Sequence, residues 1–164
     1  MAATATTPSP GQVHKLADSL RSRVSGEVRF DQISRAFYST DASVYQILPQ
    51  GVVIPKSTED VIQVVRSCAE HGISITARGG GTSQAGQAVG GGVQLDFSKY
   101  LNRVIELDPD KQTVKVQAGI VLDELNEFLK PYNLQLPLDL STSNRATIGG
   151  MVGNNSAGTR SVVY

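Results

Sequence analysis

The residues in this chain whose types and spacing could do chemistry are glycines and hydroxyls, and they fall in two clusters. The first, RGGGTSQAG, runs from Arg78 to Gly86 and is followed by Gly90, Gly91 and Gly92. Consecutive glycines open backbone conformations closed to other residues, or let another group approach the backbone closely. Where several N–H groups converge in this way they form a nest for an anion, typically a phosphate. Gly79, Gly80 and Gly81 would supply such a nest, Thr82 and Ser83 would add hydroxyls, and Gln84 an amide, an inventory suited to a pyrophosphate. Each charge-assisted N–H bond to it would contribute about 1.5–3 kcal/mol. The second cluster, STSNRATIGG, runs from Ser141 to Gly150, with Gly153 and Gly158 beyond it. A lone glycine triplet reads first as a tight turn. Two glycine-and-hydroxyl loops together suit an extended ligand with two polar ends.

Competing glycine motifs do not fit. A Walker loop needs Gly-Lys-Ser/Thr after its spacer, but Gly86 is followed by Gln87 and Ala88. The dinucleotide fingerprint needs glycine at its sixth position, where counting from Gly79 gives Gln84. A nucleophile elbow needs glycine two residues before its serine, and Asn154 stands there before Ser156. His14 and His71 lack ligand spacing, so no metal site is expected. Cys68 is the single cysteine; no disulfide within the chain follows, and its place on an apolar stripe reads as packing rather than redox work. Arg78 has two readings, a pyrophosphate contact or a brace that pairs with a nearby carboxylate. Arg145 reads as a solvated loop residue with the reach to touch a ligand. Asp41 reads as an ordering residue ahead of the first strand. Gly80→Val is expected to weaken ligand binding by filling the anion site and resisting positive φ.

These loops need elements to position them. Val13, Leu16, Leu20 and Val24 recur at helical spacing over 13–25, after an N-terminal lead-in over 1–12 that reads as disordered. Residues 27–50 show no clear period, and 13–50 reads as a helical and irregular extension. GVVIP (51–55) reads as a strand closed by Pro55. Ser57 can cap a helix whose Asp60 comes close to completing a capping box. Val61, Val64, Val65, Cys68 and Ala69 form its core stripe, and Gly72 ends it. ISITA (73–77) then closes a right-handed βαβ unit. VQLDF (93–97) is a third strand, and 104–108 with 113–119 form a hairpin whose Thr113, Lys115 and Gln117 face water. A helix follows over 121–132.

Composition excludes little. Fifteen basic and fifteen acidic residues balance in 164, so no charge excess favours nucleic acid or an acidic membrane. No run is long and apolar enough to span a bilayer, and the start lacks a signal-peptide pattern. The reading is a cytoplasmic protein, or one peripheral to the inner membrane. The apolar run Ser161 to Tyr164 reads as a cut through a fold rather than its end.

Three blocks in order then carry a resemblance: VVIPKSTEDVIQVVRSCAEHGISITARGGGTSQAG, GGVQLDFSKYLNRVIELDPDKQTVKVQAGIVLDELNEFL and PLDLSTSNRATIGGMVGNNSAG. They resemble the FAD-binding domain of the vanillyl-alcohol oxidase / p-cresol methylhydroxylase superfamily, over about residues 40 to 164. The resemblance implies an α+β, PCMH-type fold, with a βαβ-containing first subdomain at about 50–118 and a truncated second one, the FAD-binding domain as a whole covering 51–164. It implies that Arg78, Gly79, Gly80, Gly81, Thr82, Ser83 and Gln84 cradle the FAD pyrophosphate. Pro137, Ser141, Thr142, Ile148, Gly149, Gly150 and Asn154 would lie near the isoalloxazine or its linker, and Pro55 near the adenosine. Members with covalent flavin often carry histidine in the glycine loop, at the position of Thr82 here, which implies dissociable FAD. The pattern looks most like the D-2-hydroxy-acid dehydrogenase branch, with D-lactate dehydrogenases and the glycolate oxidase flavin subunit. YSTDASVYQILPQGVVIP further resembles large bacterial proteins that fuse this unit to an iron–sulfur module. There the residues that bind a small 2-hydroxy acid and take its proton lie downstream, so no catalytic residue is assigned, and the electron acceptor stays open. Two alternatives remain: a flavin reductase of the UDP-N-acetylenolpyruvoylglucosamine reductase type, and a piece too short to bind flavin by itself.

Overall fold

A computed structural model describes residues 9–159. The apolar run at 161–164 and the first eight residues of the expected lead-in lie outside them. Residues 10–12 are the first turn of helix α1 (Pro10–Arg23), because Ser9 and Gln12 close a capping box and Pro10 has the fixed φ of a first helical position. The chain then forms β1 (Glu27–Arg29), α2 (Gln32–Phe37), β2 (Gly51–Ile54), α3 (Thr58–Glu70), β3 (Ile75–Arg78) and β4 (Val93–Asp96). After these come β5 (Val104–Asp108), β6 (Thr113–Val116), α4 (Leu122–Leu129), a 3-10 turn (Lys130–Tyr132) and α5 (Ile148–Gly153). The mixed α+β composition is as expected, and β1 and α2 are additions within the stretch that had no clear period.

The first sheet has the order β1-β2-β4-β3, with β1 antiparallel and the other three parallel. The strands on either side of α3 are therefore not neighbours. β4 lies between them, pairing Val52 with Gln94 on one side and Thr76 with Gln94 on the other. The residues explain the order. All four residues of β2 and of β4 are buried, as central parallel strands require, whereas β3 is only partly buried, as an edge strand can be. Leu16 and Leu20 of α1, Val64 and Cys68 of α3, and Val53, Val93 and Leu95 of the sheet form the main core. α3 buries a narrower stripe than its periodicity implied: Asp60, Val64, Ser67 and Cys68 face inward, while Val65 and Ala69 are exposed. Burial pushes the Cys68 thiol up to about 12, which leaves it an inert packing group.

A second apolar cluster joins the β5–β6 hairpin to α4: Val104, Leu107, Val114 and Val116 pack on Ile120, Leu125 and Leu129. Thr113 and Lys115 face water, as their alternation requires. The hairpin thus shares its core with the second half of the chain. Among the described residues, no helix is long and apolar enough to cross a membrane.

Asp60 links α1 to α3. Its carboxylate accepts from the Ser25 and Lys56 backbone N–H groups, both at 2.8 Å, and from the Ser25 hydroxyl. Burial raises its pKa, and these hydrogen bonds outweigh burial and hold it below the usual carboxylate range. Glu27 is held down to about 2 by hydrogen bonds from Lys99 and Tyr100. Both groups are more acidic folded than unfolded. Their stabilisation is therefore complete above the unfolded carboxylate range, about pH 4, and is lost as pH falls through their folded-state values. The Tm should hold between about pH 7 and 5 and fall from about pH 4 towards 2. Asp60→Asn should cost about 1–3 kcal/mol at neutral pH, by leaving a buried donor without an acceptor, and should flatten the acid limb in a calorimetric pH series.

Candidate functional site

The carboxyl ends of the three parallel strands open on one edge of the sheet, where α/β proteins bind ligands. From the end of β3 the glycine loop leaves at Gly79, and Phe97 follows β4. A cleft of about 1040 Å³ begins there and continues to the segment around α5. One side is lined by Arg78, Gly79, Gly80, Gly81, Thr82, Ser83 and Gln84, and the other by Ser141, Thr142, Thr147, Gly149, Gly150 and Asn154. The structure thus brings together twelve of the fifteen expected site residues. The other three do not line it. Pro55 is fully buried directly after β2, Ile148 packs into the cores around α4, and Pro137 is half-buried in the segment leading to Ser141.

The two glycine segments meet where the backbone of the first lies against the Thr147 side chain and the Arg145 carbonyl of the second. A Cβ on Gly79 would stand 2.0 Å from the Thr147 hydroxyl oxygen, and one on Gly80 would stand 2.2 Å from the Arg145 carbonyl oxygen. The positive φ lies one residue on, at Gly81 (φ +65°). The expected effect of a side chain at Gly80 therefore has a different cause: it would push the two loops apart.

Their hydrogen bonding is complementary. At the start of α5, Ile148 N–H donates to the Ile120 carbonyl at 2.9 Å and Gly149 N–H to the Ala118 carbonyl at 2.8 Å. Gly150 N–H donates to the Thr147 hydroxyl at 3.3 Å. The Gly-Gly pair consequently has no N–H left for an anion. In the first loop the reverse holds. Among the described residues, no protein group accepts from the backbone N–H of Gly80, Gly81, Thr82, Ser83 or Gln84. Five free donors beside a cleft fit a ligand with a pyrophosphate. The Ser83 hydroxyl is engaged within its own turn, donating to Gln87 and accepting from the Ala85 and Gln87 N–H groups.

Arg78 lines the cleft, and its protein partners are carbonyls rather than the carboxylate of its bracing reading. Its guanidinium donates to the Ala88 carbonyl at 3.0 Å and the Thr40 carbonyl at 2.9 Å, and lies 5.2 Å from the Tyr38 ring centre. It braces the loop through carbonyls rather than a carboxylate. Two supports escaped the sequence reading. Gln94, fully buried in β4, sits beneath the loop with its amide nitrogen on the Ala88 carbonyl and its oxygen on the Gly90 N–H, the orientation its neighbours require. Thr147 caps α5 while touching Gly79. A glutamine between Val and Leu in a wholly buried strand was the available signal for the first. No cluster of metal-ligating side chains exists among the described residues.

Comparison with known proteins identifies this arrangement. Residues 49–164 match the family described as FAD binding domain. The chain is 43% identical over 143 residues to D-2-hydroxyglutarate dehydrogenase of Escherichia coli (strain K12), across 85% of this chain and 14% of that protein. It is 34% identical to glycolate oxidase subunit GlcD of Bacillus subtilis (strain 168), across 87% of this chain and 31% of that one. The chain thus spans about one seventh of the length of the curated dehydrogenase it matches at 43% identity (14%). Among solved structures, an alkyldihydroxyacetonephosphate synthase superposes at TM-score 0.79 and 23% identity, over 100% of this chain and 32% of that chain. A p-cresol methylhydroxylase with substrate bound superposes at 0.70 and 24%, over 90% and 30%. At those identities the likeness is one of fold, and it is the PCMH-type fold. This chain belongs to the FAD-binding domain family.

The loop contact makes a separable prediction. Gly80→Ala should destabilise the chain by about 1–3 kcal/mol, the usual cost of overpacking, because the Arg145 carbonyl cannot swing aside as a flexible side chain would. Gly153→Ala, with nothing within 4 Å of its Cβ, should not. Urea unfolding of the two variants checks the contrast.

Proposed function

We propose that this chain is the flavin-holding portion of a dehydrogenase acting on a D-2-hydroxy acid, and that it holds FAD without a covalent bond. The row of free N–H groups from Gly80 to Gln84 carries the reading. These donors, with the Thr82 hydroxyl, take the pyrophosphate. Ser141, Thr142, Gly149, Gly150 and Asn154, across the cleft, meet the flavin and its linker, where the glycines give a surface without projecting side chains. Pro55, Pro137 and Ile148 support the strand end and the α5 segment. A cleft of about 1040 Å³ stands just above the range for small-molecule sites, roughly 300–1,000 Å³, as suits an extended dinucleotide. Among the cleft-lining residues there is no histidine or cysteine to form a tether.

When bound, FAD supplies the two-electron redox chemistry, and the protein binds and orients it. The substrate class rests on relatives named for D-2-hydroxyglutarate, glycolate and D-lactate. The groups that bind the substrate carboxylate and take its proton, and any iron–sulfur centre, lie outside these residues, and the electrons pass to a separate acceptor.

Titration of the chain with FAD and with riboflavin, followed by flavin fluorescence, tests the reading. FAD should bind saturably and about tenfold or more tightly than riboflavin, since even one charge-assisted hydrogen bond to the pyrophosphate accounts for that ratio. Equal affinities, or no binding of FAD, would contradict it.

A further inference from the structure

The glycine loop between β3 and β4 has no regular secondary structure, and its N–H groups from Gly80 to Gln84 have no acceptor among the described residues. Such a loop keeps its donors in place only if other bonds hold it. The holding bonds come from residues 38–43, between α2 and β2. Ala42 N–H donates to the Gly81 carbonyl at 3.1 Å. The Ala88 N–H donates to one Asp41 carboxylate oxygen at 3.3 Å, and the Ser43 N–H to the other at 2.9 Å. Arg78 closes the circuit by donating to both Thr40 and Ala88 carbonyls. Tyr38, under the Arg78 guanidinium, is itself anchored by donating its hydroxyl to Asp96 at 2.6 Å. The loop is thus gripped at Gly81 and at Ala88, on either side of most of the free donors, without any of these bonds consuming one.

We propose that Asp41 is a positioning residue for the cofactor, the pivot of a clamp that holds the pyrophosphate-binding loop in its binding shape before the ligand arrives. The inference rests on the FAD reading above and adds a residue outside the cleft lining to it. Asp41 suits the task because it needs two acceptor oxygens and no donor. Burial raises its pKa, but hydrogen bonds from Ser43 and Ala88 and the nearby Arg78 charge hold it below the usual carboxylate range, so it stays ionised. Asparagine supplies one acceptor oxygen, so Asp41→Asn must surrender either Ser43 or Ala88 while keeping the side chain's size.

The test compares the 164-residue chain with its Asp41→Asn and Asp41→Ala variants in three measurements: affinity for FAD and for riboflavin, Tm, and amide hydrogen exchange without ligand. Both variants should bind FAD about five- to tenfold more weakly and keep the affinity for riboflavin. Their Tm should move by less than about 3 °C, and in Asp41→Ala, which loses both bonds, the Ala88 amide should exchange faster. Equal loss of affinity for both ligands, or a larger fall in Tm accompanying the loss, would show a general structural role and overturn the inference. Unchanged Ala88 exchange in Asp41→Ala would overturn the clamp itself, whatever the ligand does. Failure of the unsubstituted chain to bind FAD would instead defeat the functional reading, so the two failures are distinguishable.

Discussion

The structure depends on one close approach: the backbone at Gly79 and Gly80 lying against Arg145 and Thr147. More than sixty residues of chain separate these partners, and a Cβ on either glycine would collide with them. The contact joins the end of β3 to the start of α5, and so joins the parallel sheet to the half of the chain built on the hairpin and α4. The cleft follows from it, because the two loops that touch at this point are the ones that line its two sides.

The contact also divides labour between the loops. The α5 end gives its N–H groups to Ala118, Ile120 and Thr147 and becomes a fixed wall. The first loop keeps its N–H groups free and is held from outside through Gly81 and Ala88. A glycine-rich loop held in this way avoids much of the ordering cost that a ligand would otherwise have to offset. Gln94 below, Arg78 beside and Asp41 above are all polar groups placed to satisfy a loop backbone that lacks a ladder of its own.

Much of this was legible in the residues. The caps at Ser57 and Gly72, the hairpin alternation and the helical spacing of Leu122, Leu125 and Leu129 are local signals, and local physics realises them. That the two glycine loops belong to one site could also be read from their composition, and both line one cleft. The rest depends on contacts distant in sequence. The strand order could not be read, because the pairing of β4 between β2 and β3 is decided by burial on both faces, while 75–78 shows only that it is a strand. Nor could the work of Gly79 and Gly80, since a glycine required for close approach looks the same in sequence as one required for positive φ. The role of Arg78 stayed open between two readings because its partners, the carbonyls of Thr40 and Ala88, carry no side-chain signature. Pro55 closes its strand as expected, and its side chain is buried and not among those lining the cleft.

The central claim is that the anion donors lie in the first loop and not at the Gly-Gly pair. Amide chemical shifts in ¹H–¹⁵N spectra test it directly, with ADP added as a pyrophosphate that carries no flavin. The account predicts that the largest shifts fall on Gly80, Gly81, Thr82, Ser83 and Gln84, with Gly149 and Gly150 nearly still. Large shifts at Gly149 and Gly150 with the first loop unmoved would contradict it.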